Sequence, residues 1–289
     1  AMPYEEGVSQ EGYSQYFGDE DWFSFTPEKD GIYNLTMNDG KGYDVPALEM
    51  FVYNEQIKDL DVVFSNGAFS FFSMEPSVKA DSYVGLKKDT TYYFRVTDSM
   101  YRPSLKPYEF SLNMFKENTN DVYELNDDFK TALKISGKPL TANFASSGDV
   151  DTYYFKPEKD GVFGVTAAPT ALNKKYNQLP DELKKPIDPV LVILEDKNGN
   201  GKLEKEEEAN LTFVDYGFNN DEERGAFRGK KGSGYFIVLQ NYFRFDSSLV
   251  PYILSVKEAS KKDEDAGSVV KNNIPTKPIA INKAYGVSY

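Results

Sequence analysis

The residues best suited to chemistry lie in one run, Asp196-Lys197-Asn198-Gly199-Asn200-Gly201-Lys202-Leu203-Glu204-Lys205-Glu206-Glu207. It meets the pattern D-x-[DN]-x-[DN]-G-x5-E at every specified position. The chemistry served by that pattern is capture of a hard divalent cation, calcium, by oxygen atoms. Asp196, Asn198 and Asn200 offer side-chain oxygens at the first, third and fifth places, and Lys202 needs only its backbone carbonyl. Glu204 ligates directly or through water, Glu207 closes the sphere with two oxygens, and Gly201 makes the sharp turn. Leu203 supplies the apolar anchor. The ligand carboxylates of Asp196, Glu204 and Glu207 are diluted by Lys197, Lys202 and Lys205, so the expected affinity is weak, on the order of 10⁻⁴ M. The competing reading is an acidic, glycine-rich hairpin tip in which Glu206, Glu207 and Glu208 are simply solvated.

Other chemistries are narrowed by composition. The 289 residues include no Cys and no His, which removes disulfides, thiolate sites, His-ligated zinc, Ser-His-Asp triads and the commonest general base. What remains is carboxylate chemistry, calcium, or none. Two carboxylates could hydrolyse a glycoside, but nothing in the sequence selects a pair. A net charge of −13 argues against a nucleic-acid partner, since phosphate contacts need Lys and Arg. No apolar run approaches the ~20 residues of a membrane span. The start, Ala1-Met2-Pro3-Tyr4-Glu5-Glu6, lacks the basic and apolar regions of a signal peptide, so the expectation is a piece of a longer, exported precursor.

The elements that must position the calcium loop belong to a repeat. Gly18-Asp19-Glu20-Asp21-Trp22-Phe23-Ser24-Phe25-Thr26-Pro27-Glu28-Lys29-Asp30-Gly31 recurs 130 residues later as Gly148-Asp149-Val150-Asp151-Thr152-Tyr153-Tyr154-Phe155-Lys156-Pro157-Glu158-Lys159-Asp160-Gly161. Tyr93-Phe94-Arg95-Val96 and Pro107-Tyr108-Glu109-Phe110 recur as Tyr235-Phe236-Ile237-Val238 and Pro251-Tyr252-Ile253-Leu254. The second unit carries extra residues, placed at Leu172–Lys185, where Leu179-Pro180-Asp181-Glu182-Leu183-Lys184 reads as a helical turn. Alternating apolar residues, 15 % aromatics and frequent turn signals predict short strands. Asp-x-aromatic-x-Phe, the Pro-Glu-Lys-Asp-Gly turn and the returning Ile32–Thr36 or Val162–Thr166 read as strand, turn, strand, and the two later segments read as another pair. Pro189–Glu195 is β-branched, so the calcium loop leaves a strand and not the helix usual for its pattern. In the first unit Asn54-Glu55-Gln56-Ile57-Lys58 stands where the loop would begin and lacks the ligands.

The predicted fold is all-β: two tandem antiparallel jelly-roll-like β-sandwiches, residues 1–117 and 118–258. Residues 259–289 read as a charged linker and, from the echo of Lys138-Pro139-Leu140 in Lys277-Pro278-Ile279, the start of a third unit.

In the second unit Glu124-Leu125-Asn126-Asp127-Asp128, then Ala132, Gly148-Asp149-Val150-Asp151-Thr152-Tyr153-Tyr154-Phe155 and Pro157-Glu158-Lys159-Asp160-Gly161 follow in an order that resembles the bacterial pre-peptidase C-terminal domain family. That family includes the collagen-binding domains of clostridial collagenases. The resemblance spans Asp121 to about Val256, and more faintly Tyr16 to Leu112, where the Glu-x-Asn-Asp opening is missing. It implies a non-catalytic accessory sandwich of a secreted or cell-surface bacterial protein, Gram-positive and protease-associated. It also implies a second calcium site at Glu124, Asn126, Asp127 and Asp151, with Asp149 nearby. One further acidic ligand of that site falls on Val122. Asn126-Asp127-Asp128 also reads as a plain turn and cap.

The function expected is attachment, targeting or stabilisation of a parent protein, with extracellular matrix, a cell-wall polymer or the parent's protease catalytic domain as partner. A structural surface or adhesin component and a carboxylate glycosidase are the alternatives. Candidate contact residues are aromatics and arginines of the late loops: Tyr101 and Arg102 in the first unit, and Tyr242, Phe243, Arg244 and Phe245 in the second. The competing reading of each aromatic is core or sheet packing. A monomer is expected.

Overall fold

Alternation of large apolar with polar residues builds the strands, because successive side chains in an extended chain point to opposite faces. The computed structural model describes residues 1–38, 46–55, 58–65, 67–68, 77–78, 81–98, 107–117, 119, 121–124, 126–209, 211–244 and 246–259. The reading of 260–289, including the third-unit echo, lies outside the described residues.

The first eleven strands are β1 (Met2–Pro3), β2 (Gln10–Gly12), β3 (Glu20–Phe25), β4 (Gly31–Asn38), β5 (Pro46–Asn54), β6 (Asp59–Ser65), β7 (Gly67–Ala68), β8 (Ser77–Val78), β9 (Asp81–Leu86), β10 (Tyr92–Asp98) and β11 (Tyr108–Glu117). They form a sheet ordered β1-β3-β10-β5-β6 facing one ordered β2-β11-β4-β9, with β7 and β8 paired apart. The second set is β12 (Leu133–Ile135), β13 (Leu140–Asn143), β14 (Val150–Phe155), β15 (Gly161–Pro169), β16 (Pro189–Asp196), β17 (Leu211–Val214), β18 (Glu223–Gly229), β19 (Gly234–Asn241) and β20 (Pro251–Glu258). Their sheets run β12-β14-β19-β16-β17 and β13-β20-β15-β18, the same order as before. The fold is all-β, as expected, and made of two tandem sandwiches.

Two details differ from the sequence reading. The sheets are antiparallel except at one edge, where β1 pairs parallel with β3 and β12 parallel with β14. And β3 and β4 do not return as a hairpin: they cross between sheets, as do β10 and β11. Facing sheets let Phe23 and Phe25 meet Tyr33, Leu35 and Met37 across one buried core, which neighbours within a single sheet would not. The second core packs Tyr153, Phe155, Val165, Leu191, Ile237 and Tyr252 in the same way.

The sandwiches touch through a separate apolar cluster. Ile32 on the outer face of β4 is fully buried against Ala145, Tyr176, Leu183 and Leu249 of the second sandwich. Tyr176 and Leu183 come from the extra segment, which forms two 3-10 turns, Lys174–Tyr176 and Asp181–Lys184. Gly85 on β9 makes the approach feasible: a Cβ there would sit 1.9 Å from the Ala145 carbonyl oxygen. Its N–H donates to Ser247 Oγ (2.7 Å), and its carbonyl accepts from Ser147 N–H (3.1 Å).

Candidate metal centre

β16 ends at Asp196, so the calcium motif leaves a strand, as its β-branched run predicts. The Asp196 carboxylate is buried and organises the turn that follows. It accepts backbone N–H bonds from Gly199 (2.7 Å) and Gly201 (2.7 Å), and the Tyr154 hydroxyl donates to it (2.6 Å). Gly201 takes a positive φ of 79°, a conformation that side-chain-bearing residues rarely adopt. Further on, Glu207 accepts from Lys197 N–H and Glu204 N–H, which folds the loop's end back on its start.

Asp196, Glu204 and Glu207 therefore each place a carboxylate oxygen within 4.8 Å of the others. Asn198 and Asn200 are in the same turn, with both amide nitrogens directed at Glu204 Oε1 (3.4 and 2.6 Å). Lys202 donates its backbone N–H to Asn200 Oδ1. Glu204 Oε2 is buried and has no hydrogen-bond partner. Burial and the adjoining Glu204 raise the Glu207 carboxyl above its ordinary value, while the contact with Glu207 and the Asn200 amide lower Glu204. Leu203 does anchor the loop: it packs on Tyr154, Leu194 and Phe236 over the outer face of the five-stranded sheet. Lys156 and Ser233 hold the rim through the carbonyls of Gly199 and Lys197. Sequence reasoning missed Tyr154, Lys156 and Ser233, since each lies on a distant strand or turn.

The residues implied by the family resemblance are split in two. Glu124, Asp127 and Asp149 converge within 4.8 Å of one another, and at their centre lies the ammonium of Lys87, from the residue after β9 of the first sandwich. Its Nζ donates to Glu124 Oε2 (3.0 Å), Asp127 Oδ1 (2.5 Å) and Asp149 Oδ1 (2.8 Å). Asn126 and Asp151 stand apart: the Asn126 amide and the Tyr252 hydroxyl both donate to the Asp151 carboxylate. Val122, in the remaining ligand place, is 88 % exposed.

Burial works against the charge of Lys87, yet Asp149, Asp127 and Glu124 outweigh it and hold the ammonium well above the ordinary lysine range. Burial, followed by the charge of Asp149, pushes Glu124 up to about 9. Burial also raises Asp149 and Asp151. Beside the cage, a cleft of about 310 Å³ is lined by both sandwiches, with Tyr53 and Asp61 on one wall and Lys130 on the other. No sequence signal pointed to Lys87, which reads locally as part of the turn before Thr90.

Of the contact candidates, Tyr242 and Phe243 are exposed, their rings 5.3 Å apart edge to face. Arg244 forms an ion pair with Asp61 of the first sandwich at 3.1 Å. Tyr101, Arg102 and Phe245 lie outside the described residues. Among the described residues no helix is long and apolar enough to cross a membrane.

No family model and no curated protein sequence matches the chain. Among solved structures it is similar to the pre-peptidase C-terminal domain of collagenase from Bacillus anthracis, at 18 % identity over 44 % of this chain and 94 % of that one, TM-score 0.28. It is also similar to the CUB1-EGF-CUB2 domains of human MASP-1/3 (8 % identity, 87 % of this chain and 99 % of that, TM-score 0.26). A third likeness is to the tandem CBM22 domains of Paenibacillus barcinonensis Xyn10C (9 % identity, 89 % and 88 %, TM-score 0.25). Scores this low assign no family, ligand or activity.

Proposed function

We propose that the chain is a non-catalytic, calcium-stabilised pair of β-sandwiches that attaches a secreted or cell-surface bacterial parent, protease-associated on the family resemblance, to matrix, wall polymer or substrate. The observation that carries the calcium reading is the convergence of Asp196, Glu204 and Glu207 in a loop meeting the whole calcium pattern, with a buried Glu204 oxygen left unpartnered. A buried acceptor without a donor is unfavourable, and a cation relieves it. The ion's work is structural, because Leu203 ties the loop to the sheet that the ion would rigidify.

Attachment is supported by the exposed Tyr242 and Phe243 and by the tandem arrangement, in which a second weak contact profits from effective concentration. At −13, contact with an anionic wall polymer needs divalent bridging and weakens with salt.

Thermal melts in chelator and in millimolar calcium test the reading. With Kd about 10⁻⁴ M, calcium adds about 1 to 1.5 kcal/mol. Superimposable melts reject it.

A further inference from the structure

We propose that Lys87 of the first sandwich occupies a divalent-cation site built by the second, so that an ammonium in place of a metal ion gathers Glu124, Asp127 and Asp149 and fastens the two sandwiches into one body. This goes beyond the calcium loop and does not depend on it.

The contacts are those of a stand-in ion. A lysine ammonium has three donors, and each meets a different carboxylate at 2.5 to 3.0 Å. These donors are all spent, yet the cage offers more oxygen. Glu124 Oε1 is buried and unpartnered on a side chain only 7 % exposed. Three carboxyl groups also crowd a single ammonium. A cation that takes six to eight oxygens and carries two charges suits such a surplus better than lysine does.

Lys87 reaches the cage because its own sandwich delivers it there. Its N–H is held by the Tyr92 hydroxyl (2.8 Å), and Gly85, two residues earlier, lies directly on Ala145 and Ser147. The corner itself does not call for foreign carboxylates. In the second sandwich Lys230 takes the same corner, its N–H held by Tyr235, and pairs with Glu195 of its own sandwich. The cage remains reachable from water, since the Asp127 side chain is 43 % exposed and lines the cleft.

The test is Lys87→Met in the full chain. In chelator its Tm should fall by roughly 10 °C, since removing one partner of a buried ion group strands the others. Millimolar calcium should restore most of that loss, and equilibrium dialysis should count one more calcium per chain than in the wild type. Adding Asp149→Asn should abolish the extra ion. Equal ion counts in Lys87→Met and wild type, or a Tm loss that calcium leaves untouched, would overturn the proposal. Because the readout is a difference, it stands whatever the Asp196 loop binds. Should Lys87→Met not fold, reductive methylation of the native wild type read by mass spectrometry decides. Lys87, with its side chain 6 % exposed, should stay unmodified in both chelator and calcium while Lys88, at 54 %, reacts. Modification of Lys87 at the rate of Lys88 in either condition would overturn it.

Discussion

The two sandwiches repeat each other down to single hydrogen bonds. Lys87 and Lys230 N–H are capped by Tyr92 and Tyr235, and Lys88 and Lys231 N–H by Asp30 and Asp160. Thr36–Ser111 and Thr166–Ser255 bridge matching strands at 2.7 Å, and Tyr108 and Tyr252 donate to Asp21 and Asp151. They part at the outer face of the five-stranded sheet. By register, which sets Tyr92 and not Tyr93 against Tyr235 and so shifts the match read from the sequence by one residue, Glu49, Arg95 and Ser24 of the first correspond to Val192, Val238 and Tyr154 of the second. The first face meets water, with Arg95 paired to Glu49 and lying over Trp22 and Phe51. The second is covered by Leu203 of the calcium loop and by Phe129. A shared framework thus carries one open and one roofed face, and the candidate metal ligands come with the roof. The matching lysines part as well: one crosses to the neighbour, the other stays home.

Exchanging each feature for its counterpart breaks or sharpens that contrast. The largest effect is expected at the lysines: Lys87→Met should destabilise the chain by about 3–5 kcal/mol in chelator, and Lys230→Met, an exposed pair, by no more than about 1 kcal/mol. Denaturant titration measures both, and similar losses would erase the distinction. Next comes Leu183→Ala, which removes a fully buried side chain of the segment that only the second sandwich has, at a cost of about 2–5 kcal/mol. A smaller effect follows at the loop. Glu207→Gln should remove the calcium-dependent gain of about 1 to 1.5 kcal/mol in thermal melts and leave the first sandwich untouched.

The last concerns pH. Glu124 rises from 4.5 to about 9 on folding, chiefly through burial. A group raised in the folded state contributes stability that is complete below the unfolded value and fades as pH climbs toward the folded one. In chelator, the wild-type Tm should therefore fall between pH 5 and pH 9 more steeply than that of Glu124→Gln. Lys87 stays charged in both states across that window. Parallel slopes would show that Glu124 ionises freely in the folded chain.

Much of this was legible because it is local. The strands and the loop's convergence follow from residues within a few positions of one another, and the repeat from short local motifs that recur. Leu203 as anchor and a strand in place of the incoming helix could both be read from Pro189–Glu207. The sheet crossings of β3–β4 and β10–β11 were not legible, since alternation gives a strand two faces and does not say which neighbour lies beside it. Nor was the second carboxylate cluster. Asp149 and Asp151 are buried while Asp19 and Asp21, their counterparts, are partly exposed, and the partners that hold them, Lys87 for Asp149 and Tyr252 for Asp151, lie far away in the sequence. Lys87 lies 37 residues from Glu124 and 62 from Asp149, in a turn whose own chemistry is unremarkable. Arg244, read as a surface contact, is drawn to Asp61 for the same reason.

Counting calcium on the wild-type chain by titration calorimetry tests the central contrast most directly. A single ion per chain, lost in Glu207→Gln, is the expected result, with the Asp196 loop loaded and the Lys87 cage closed. No binding at millimolar calcium would contradict the ion's structural role, and two ions would mean that lysine yields its place to metal.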